Sequence, residues 1–384
     1  MDLQHFPVNW VEGMKISRRN LEHTDYFIYE QVQDVRSLYI NDFSYGILSS
    51  DKPFDLSVFF DSTQLITIEL RACKAVTPSG ARIDVLPSQE PVRLRILYSD
   101  IISRFGLNKS SEHQFYIIVA VNPFQRVPVG KPELDEVPPR IPFCTPEVKL
   151  DIVPTEQLGS FFHGNSLLVG IINHRQGELS YNKEFIPPGT VIQCHPLMVQ
   201  WYNKFRQMSE TWEQSAIKIL QKINSKTTQA NSLTNTIQKL SDRILEKLVD
   251  QKTRIQWIIP KSSPIHLCEM LLQNVHFIHA MIITLPEKER EEVINYFAEW
   301  ADMQAGNIEN ETIRGILIEY NHNNISGVFA EIMSVYNMYV QIFQKLSMLE
   351  FIGKKKGQNI FVIEQGVKEV KPNVSEKPGR WSPL

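Results

Sequence analysis

After Pro196 the hydrophobic period of this chain changes from two to about 3.6, and that change constrains the fold more than any other feature. Just upstream stand Phe185, Ile186, Pro187, Pro188 and Gly189, then Val191 to Pro196. Adjacent prolines remove backbone donors and forbid a continuing central strand. Downstream, Met208, Trp212, Ala216, Ile219 and Ile223 follow one another at spacings of four, four, three and four. Leu233, Ile237, Leu240, Ile244 and Leu248 repeat the pattern. Each set marks one stripe of a helix. Stripes this narrow are seams of a coiled coil or bundle, so these helices need partners, from the same chain or from copies of it.

Upstream of the prolines the pattern reads as strands. Tyr45 to Leu48 opens the series, and residues 55–61, 64–73, 92–98 and 115–121 continue it, rich in β-branched and aromatic side chains. Thr77 to Gly80 carries proline and glycine at turn positions. Residues 166–173 and 178–181 flank Gly177 as a hairpin. Residues 122–146 hold seven prolines and read as an extended loop or arm. Val8 and Trp10 alternate like a short strand that turns at Gly13. Residues 21–39, with Tyr26, Phe27, Tyr29, Val32, Val35, Leu38 and Tyr39, have a spacing closer to helical.

The second half reads as about five helices. Two follow Pro196, one spans 265–284, and one starts at Pro286 with acids near its positive end and stops at Gly306. The last, over 312–349, has the widest apolar face, with Ile325, Val328, Phe329, Ile332, Val335, Tyr336, Tyr339, Ile342, Phe343, Leu346 and Leu349. The expected fold is α+β and multidomain: an N-terminal antiparallel β-sandwich followed by an α-helical bundle. Its parts are a docking segment (1–20), a sandwich (21–192), a bundle and trimerisation domain (193–352), and a short strand with a mobile tail (353–384).

Composition narrows the function classes. With 42% hydrophobic and 22% charged residues the chain is ordinary for a globular protein. A net charge of −3 supplies no basic field to recruit nucleic acid or an anionic membrane. Cys73, Cys144, Cys194 and Cys268 form no C-x-x-C pair, which suits a reducing, cytoplasmic compartment. The first residues have neither a basic nor an apolar leader region, and no run of about 18 apolar residues occurs, so neither a signal peptide nor a transmembrane helix is expected.

No phosphate-binding loop, dinucleotide fingerprint or nucleophile elbow is present. His276 and His279 share a helix face near His266 and Cys268, a spacing a metal site can use. Glu269 lies about two turns from that pair, which favours core or interface histidines. Cys194 and His195 adjoin, but neighbours in an extended segment point apart. Cys144 sits in an exposed loop with nothing near it in sequence to activate it. Lys354, Lys355 and Lys356 read as a solvated helix end. No catalytic residue, cofactor or metal is expected; the pattern is that of a binding or assembly protein.

Several segments in order resemble the type VI secretion system baseplate family TssK. Val8, Trp10, Glu12, Gly13, Met14 and Ile16 are similar to that family's opening V-x-W-x-E-G-M-x-L. Tyr45 to Leu48, Thr77 to Gly80, Leu168 to Ile172, and Phe185 to Pro188 resemble its later landmarks. The chain departs in Ser17 to Asn20, where P-Q-H is common, and in Leu21, where phenylalanine is usual. The resemblance spans about residues 6–350. It implies a homotrimer with a sandwich similar to the shoulder of phage receptor-binding proteins and a bundle packed about a threefold axis. It implies docking of the N-terminal part on the wedge proteins TssF and TssG, at the inner face of the cell envelope. From charge and hydropathy, no nucleic-acid partner and no membrane insertion are expected.

On that basis Val8, Trp10, Glu12 and Met14 are the expected docking residues; Trp10 reads equally as a partner anchor or as a buried anchor of its own sandwich. Met208, Trp212, Ile219, Ile223, Ile332, Val335, Tyr339, Ile342 and Leu346 are the expected bundle or trimer seam. Many family members end in a head that reaches the TssJ-TssL-TssM membrane complex. Here only 34 residues follow the last periodic helix, including Trp381 and three late prolines, so the head is expected to be missing. Two other classes remain: a phage-like receptor-binding or adhesin trimer, which the short C-terminus disfavours, and a metal-dependent enzyme using His266, Cys268, His276 and His279.

Overall fold

The computed structural model describes residues 4–109, 111–225, 231–301 and 303–353. The expected strand and tail of 353–384, with Lys354 to Lys356 and Trp381, lie outside the described residues past Gly353.

Helix α1 (Arg18–Ser37) begins at Ser17, whose side chain accepts the Asn20 N–H. The strands follow: β1 (Gly46–Ile47), β2 (Phe54–Phe60), β3 (Leu65–Val76), β4 (Arg82–Val85) and β5 (Val92–Leu97). β3 pairs antiparallel with each of the other four, for example Val58 with Ile68 and Ile68 with Leu94. Its residues alternate: Ile66, Ile68 and Leu70 are buried, while Glu69 faces out and binds Arg71 and Arg93, each at 2.9 Å. Helix α2 (Tyr98–Phe105), which the sequence reading did not separate from its strand, closes at Gly106 with φ +62°.

The second sheet has the order β7-β6-β8-β9, from β6 (His113–Val129), β7 (Phe143–Pro154), β8 (Ser166–Arg175) and β9 (Glu178–Tyr181), with the short α3 (Leu158–Phe161) between β7 and β8. Leu167 to Ile172 are buried throughout, as befits an inner strand. The two sheets make the expected sandwich. Of the two expected forms of the proline-rich stretch, loop or arm, it takes the second: β6 and β7 continue as a hairpin arm with Val129 opposite Phe143, irregular at its tip and at one bulge. Pro123 sits in a register shift between Asn122 and Arg126, and the Asn122 side chain accepts the N–H groups of Phe124 and Gln125. A bulge is where a strand tolerates a missing donor.

The helical half holds α4 (Pro196–Ser225), α5 (Ser232–Trp257), α6 (Pro264–Ile283), α7 (Glu287–Ala301), α8 (Ala305–Ile316) and α9 (Ile325–Met348). Two expectations are corrected here. Gly306 lies in the first turn of α8 and stops nothing. The span 312–349 is broken by residues 317–324, because Asn324 caps α9 by accepting the Gly327 N–H. A stripe that keeps its period across a cap hides the break.

Trp212 is 1% exposed and stacks parallel to Tyr339, with Tyr336 and Phe343 against its other sides. Ser209 and Thr312 satisfy the hydroxyls of Tyr336 and Tyr339, each at 2.8 Å. Lys222 donates to the carbonyls of Ser347 and Leu349 and so caps α9. Met208, Trp212, Ile219, Ile332, Val335, Tyr339, Ile342 and Leu346 are all buried inside this single chain, and Ile223 packs half-buried on the same core. Of the two expected sources of partners, the chain's own helices cover these stripes.

Candidate functional site

The N-terminal segment is fixed at its head and open along its length. Glu30 of α1 is buried, and its carboxylate accepts the backbone N–H of Gln4 at 2.9 Å and of His5 at 2.7 Å. Burial alone would raise this carboxyl; the two N–H donors and the His5 ring at 3.4 Å hold it below the usual carboxylate range. The His5 ring packs 4.3 Å from Phe124 of the hairpin bulge and edge-on to Tyr26. Arg126, two residues along the same strand from Phe124, pairs with Asp25 at 2.9 Å and lies over the Tyr26 ring.

Past this clamp the segment has no strand partner among the described residues, so the expected strand at Val8 and Trp10 is corrected to an extended run. The turn is at Glu12 and Gly13, with φ +79° at the glycine and the Met14 N–H bonded to the Val11 carbonyl. Val8 and Met14 are half-buried; Glu12 is exposed and Trp10 is 49% exposed. Phe6, Val11 and Ile16 are exposed as well.

Helix α1 extends this apolar surface. It is inside out: it buries Glu30 and Gln33 and exposes Leu21, Ile28, Val32 and Val35. The Gln33 amide donates to the Ser79 carbonyl at 3.1 Å and to Asn165, which ties the polar face to the turn at Gly80 and to the sandwich. Buried polar groups facing in and a row of large apolar groups facing out form the informative combination. The sequence reading missed Phe6, Glu30 and this row. Its spacing of seven, four and three was visible, but which face had a partner was not.

The other candidates stand apart. Cys194 is buried and its thiol is pushed up to about 12 by burial, while His195 accepts the Leu197 N–H. Burial pushes the Cys268 thiol well up. His266 meets Glu269 at 3.2 Å beside Arg254. Among the described residues, no group of three or more His, Cys, Asp or Glu side chains is placed to hold a metal. Cys144 is exposed on β7 against Arg126, a neighbour the sequence separates by 18 positions. Among the described residues, no helix is long and apolar enough to cross a membrane.

No family model and no curated protein matches the sequence. The fold, however, is similar to a crystal structure of TssK, with a TM-score of 0.54 and 12% identity over 88% of this chain and 72% of that one. A baseplate complex from the type VI secretion system aligns at a TM-score of 0.49 and 11% identity over 88% of this chain and all of that one. A TssK-TssF-TssG baseplate subcomplex aligns at 0.45 and 12%, over 88% and 99%. The first of these shows that the chain has a TssK-like fold, a sandwich followed by a helical bundle.

Proposed function

We propose that this chain is a structural component of a type VI secretion baseplate, an adaptor of the TssK kind and not an enzyme. The observation that carries the reading is the TssK-like fold over 88% of the chain, together with the family-like opening motif lying on a segment with exposed side chains. The adaptor acts as a homotrimer in the cytoplasm at the inner face of the envelope. It joins the wedge proteins TssF and TssG to a membrane-side component. Residues 1–20 dock, residues 21–192 form the shoulder, and residues 193–352 form the bundle.

The docking surface is the open segment with Val8, Trp10, Glu12 and Met14, continued by Phe6 and the outer face of α1. Large aromatics beside a rigid support are the usual anchors of an interface. Because the bundle's seams are filled, the threefold contact uses exposed groups such as Val249, Trp257 and Ile258. Co-expression of the full chain with TssF and TssG from the same cell tests the wedge reading. A ternary complex on gel filtration supports it; separate elution at micromolar concentration overturns it. Light scattering of the free chain at the mass of a monomer would overturn the trimer.

A further inference from the structure

The sandwich meets the bundle at a joint of interleaved segments. The Ile47 N–H donates to the Pro188 carbonyl at 2.8 Å, and the Thr190 N–H and hydroxyl return to the Ile47 carbonyl. The Ile192 N–H donates to the Ser262 carbonyl at 3.0 Å, and the Ser263 hydroxyl donates to the Phe43 carbonyl. Two histidines lie in this joint. His322 is 3% exposed. Its Nε2 lies 2.9 Å from the Tyr45 carbonyl, which can only accept, so Nε2 carries the proton. Its Nδ1 then accepts the Tyr320 hydroxyl at 2.7 Å. Tyr45 packs edge-on to this ring and donates its hydroxyl to Asn323. His195 stands at the start of α4, where its Nδ1 accepts the Leu197 N–H at 3.3 Å and its carbonyl takes the Val199 N–H. Its ring faces Phe54 of β2. His195 thus precedes α4 and His322 precedes α9, and these two helices meet through Trp212 and Tyr336.

We propose that His195 and His322 form an acid-sensitive joint, which locks the sandwich onto the bundle while both rings are neutral and releases it when they are protonated. In both rings Nδ1 is the acceptor. A proton there puts donor against donor at the Leu197 N–H. At His322 it places a charge in a buried site and makes the Tyr320 hydroxyl give up its donor role and accept. At His195 the new charge also meets the positive end of α4. The titratable groups around His322 are Tyr45 and Tyr320, with Cys268 acting on Tyr320 and Asp42 on Tyr45. None of them is a carboxylate in contact with the ring. Among the described residues, burial is the cause that acts on His195.

Burial holds both rings down to about 4 from 6.5. A base depressed in the folded state stabilises the closed joint above its unfolded value, and that stabilisation is lost as pH falls from about 6.5 toward about 4. Burial pushes Tyr45 and Tyr320 up, so both hydroxyls keep their protons through this window. The inference does not depend on the baseplate reading.

The test is a distance measurement across the joint of the full chain. With Cys144→Ser removing the exposed thiol, spin labels go on Asp100→Cys in α2 and Asp250→Cys in α5, both exposed. Labelled chain is diluted with unlabelled chain so that only distances within one copy are read. Between about pH 7.5 and about 4.5 the distance distribution is expected to broaden, with its midpoint between about 4 and 6.5, while far-ultraviolet circular dichroism is unchanged. His195→Asn keeps a cap acceptor and His322→Gln keeps a donor for the Tyr45 carbonyl, and neither titrates. The double variant is expected to stay narrow over the same range. A wild-type width independent of pH, or a double variant that broadens at the same midpoint, overturns the proposal. If the double variant does not fold, ¹³C-histidine NMR of the wild-type chain decides: two rings neutral below about pH 6 support the joint, and all rings titrating near 6.5 overturn it.

Discussion

Glu30 holds His5: its buried carboxylate takes the His5 backbone N–H at 2.7 Å, and the neighbouring Gln4 N–H at 2.9 Å, so the head of the N-terminal segment is tied to α1. Hydrogen bonds to a charged group contribute about 1.5–3 kcal/mol each. Glu30→Ala is therefore expected to speed amide exchange at Gln4 and His5 by roughly 10- to 100-fold, at about 1.4 kcal/mol per tenfold, with little change in overall melting. Unchanged exchange would show that the clamp contributes nothing. The pH dependence has a definite sign. The folded carboxyl lies below its ordinary value of 4.5, so the attachment is complete above that value and is lost as pH falls below it.

Trp10 gives the opposite signature. About half of its surface is open, so Trp10→Ala should leave the melting temperature within about 1 °C, because surface changes cost under about 0.5 kcal/mol. If it anchors the wedge contact, the same change should weaken TssF-TssG capture at least tenfold, since anchors contribute about 2 kcal/mol or more. Native capture with folded Trp10→Ala protein would remove it from the docking surface.

Trp212 lies at the other extreme. It is fully enclosed by Tyr336, Tyr339 and Phe343. Trp212→Ala should cost about 3–5 kcal/mol, the range for truncating a large core aromatic. Urea unfolding followed by circular dichroism measures it. A loss under about 1 kcal/mol would mean that the bundle core is not closed around this ring.

Gly46 tests the joint by sterics alone. It has φ +110°, and a Cβ there would lie 2.1 Å from the Pro188 carbonyl oxygen. Gly177 also has positive φ, +84°, but its Cβ would enter open space. Gly177→Ala should cost about 1 kcal/mol from backbone strain, whereas Gly46→Ala should add the clash and lower the folded yield sharply. Equal melting temperatures for the two variants would contradict this packing.

Periodicity in the sequence was enough to reveal α4, α5, α6 and α9, the strand series, the turn at Thr77 to Gly80 and the switch near Pro196. These follow from which side chains recur at which spacing, a property local to each segment. The local signal failed where two causes compete within one segment. The arm from Asn122 to Pro146 kept its strands because a bulge absorbs Pro123, and the helix expected over 312–349 breaks because Asn324 caps it. The candidate site was legible only as a motif. Its opening residues were named, but the clamp at Glu30 and the apolar row from Leu21 to Val35 were not. A stripe in a sequence states that a face is apolar; only the packed chain states whether that face is covered. The stripes of α4 and α9 are covered by each other, while the stripe of α1 is open because Glu30 and Gln33 claim its inner side. The joint at His195 and His322 has no sequence signal, since the two histidines are 127 positions apart and the Tyr45 carbonyl lies 277 positions from His322. Burial, which decides both which apolar faces remain open and how a histidine titrates, is a property of the assembled layers and of no single segment.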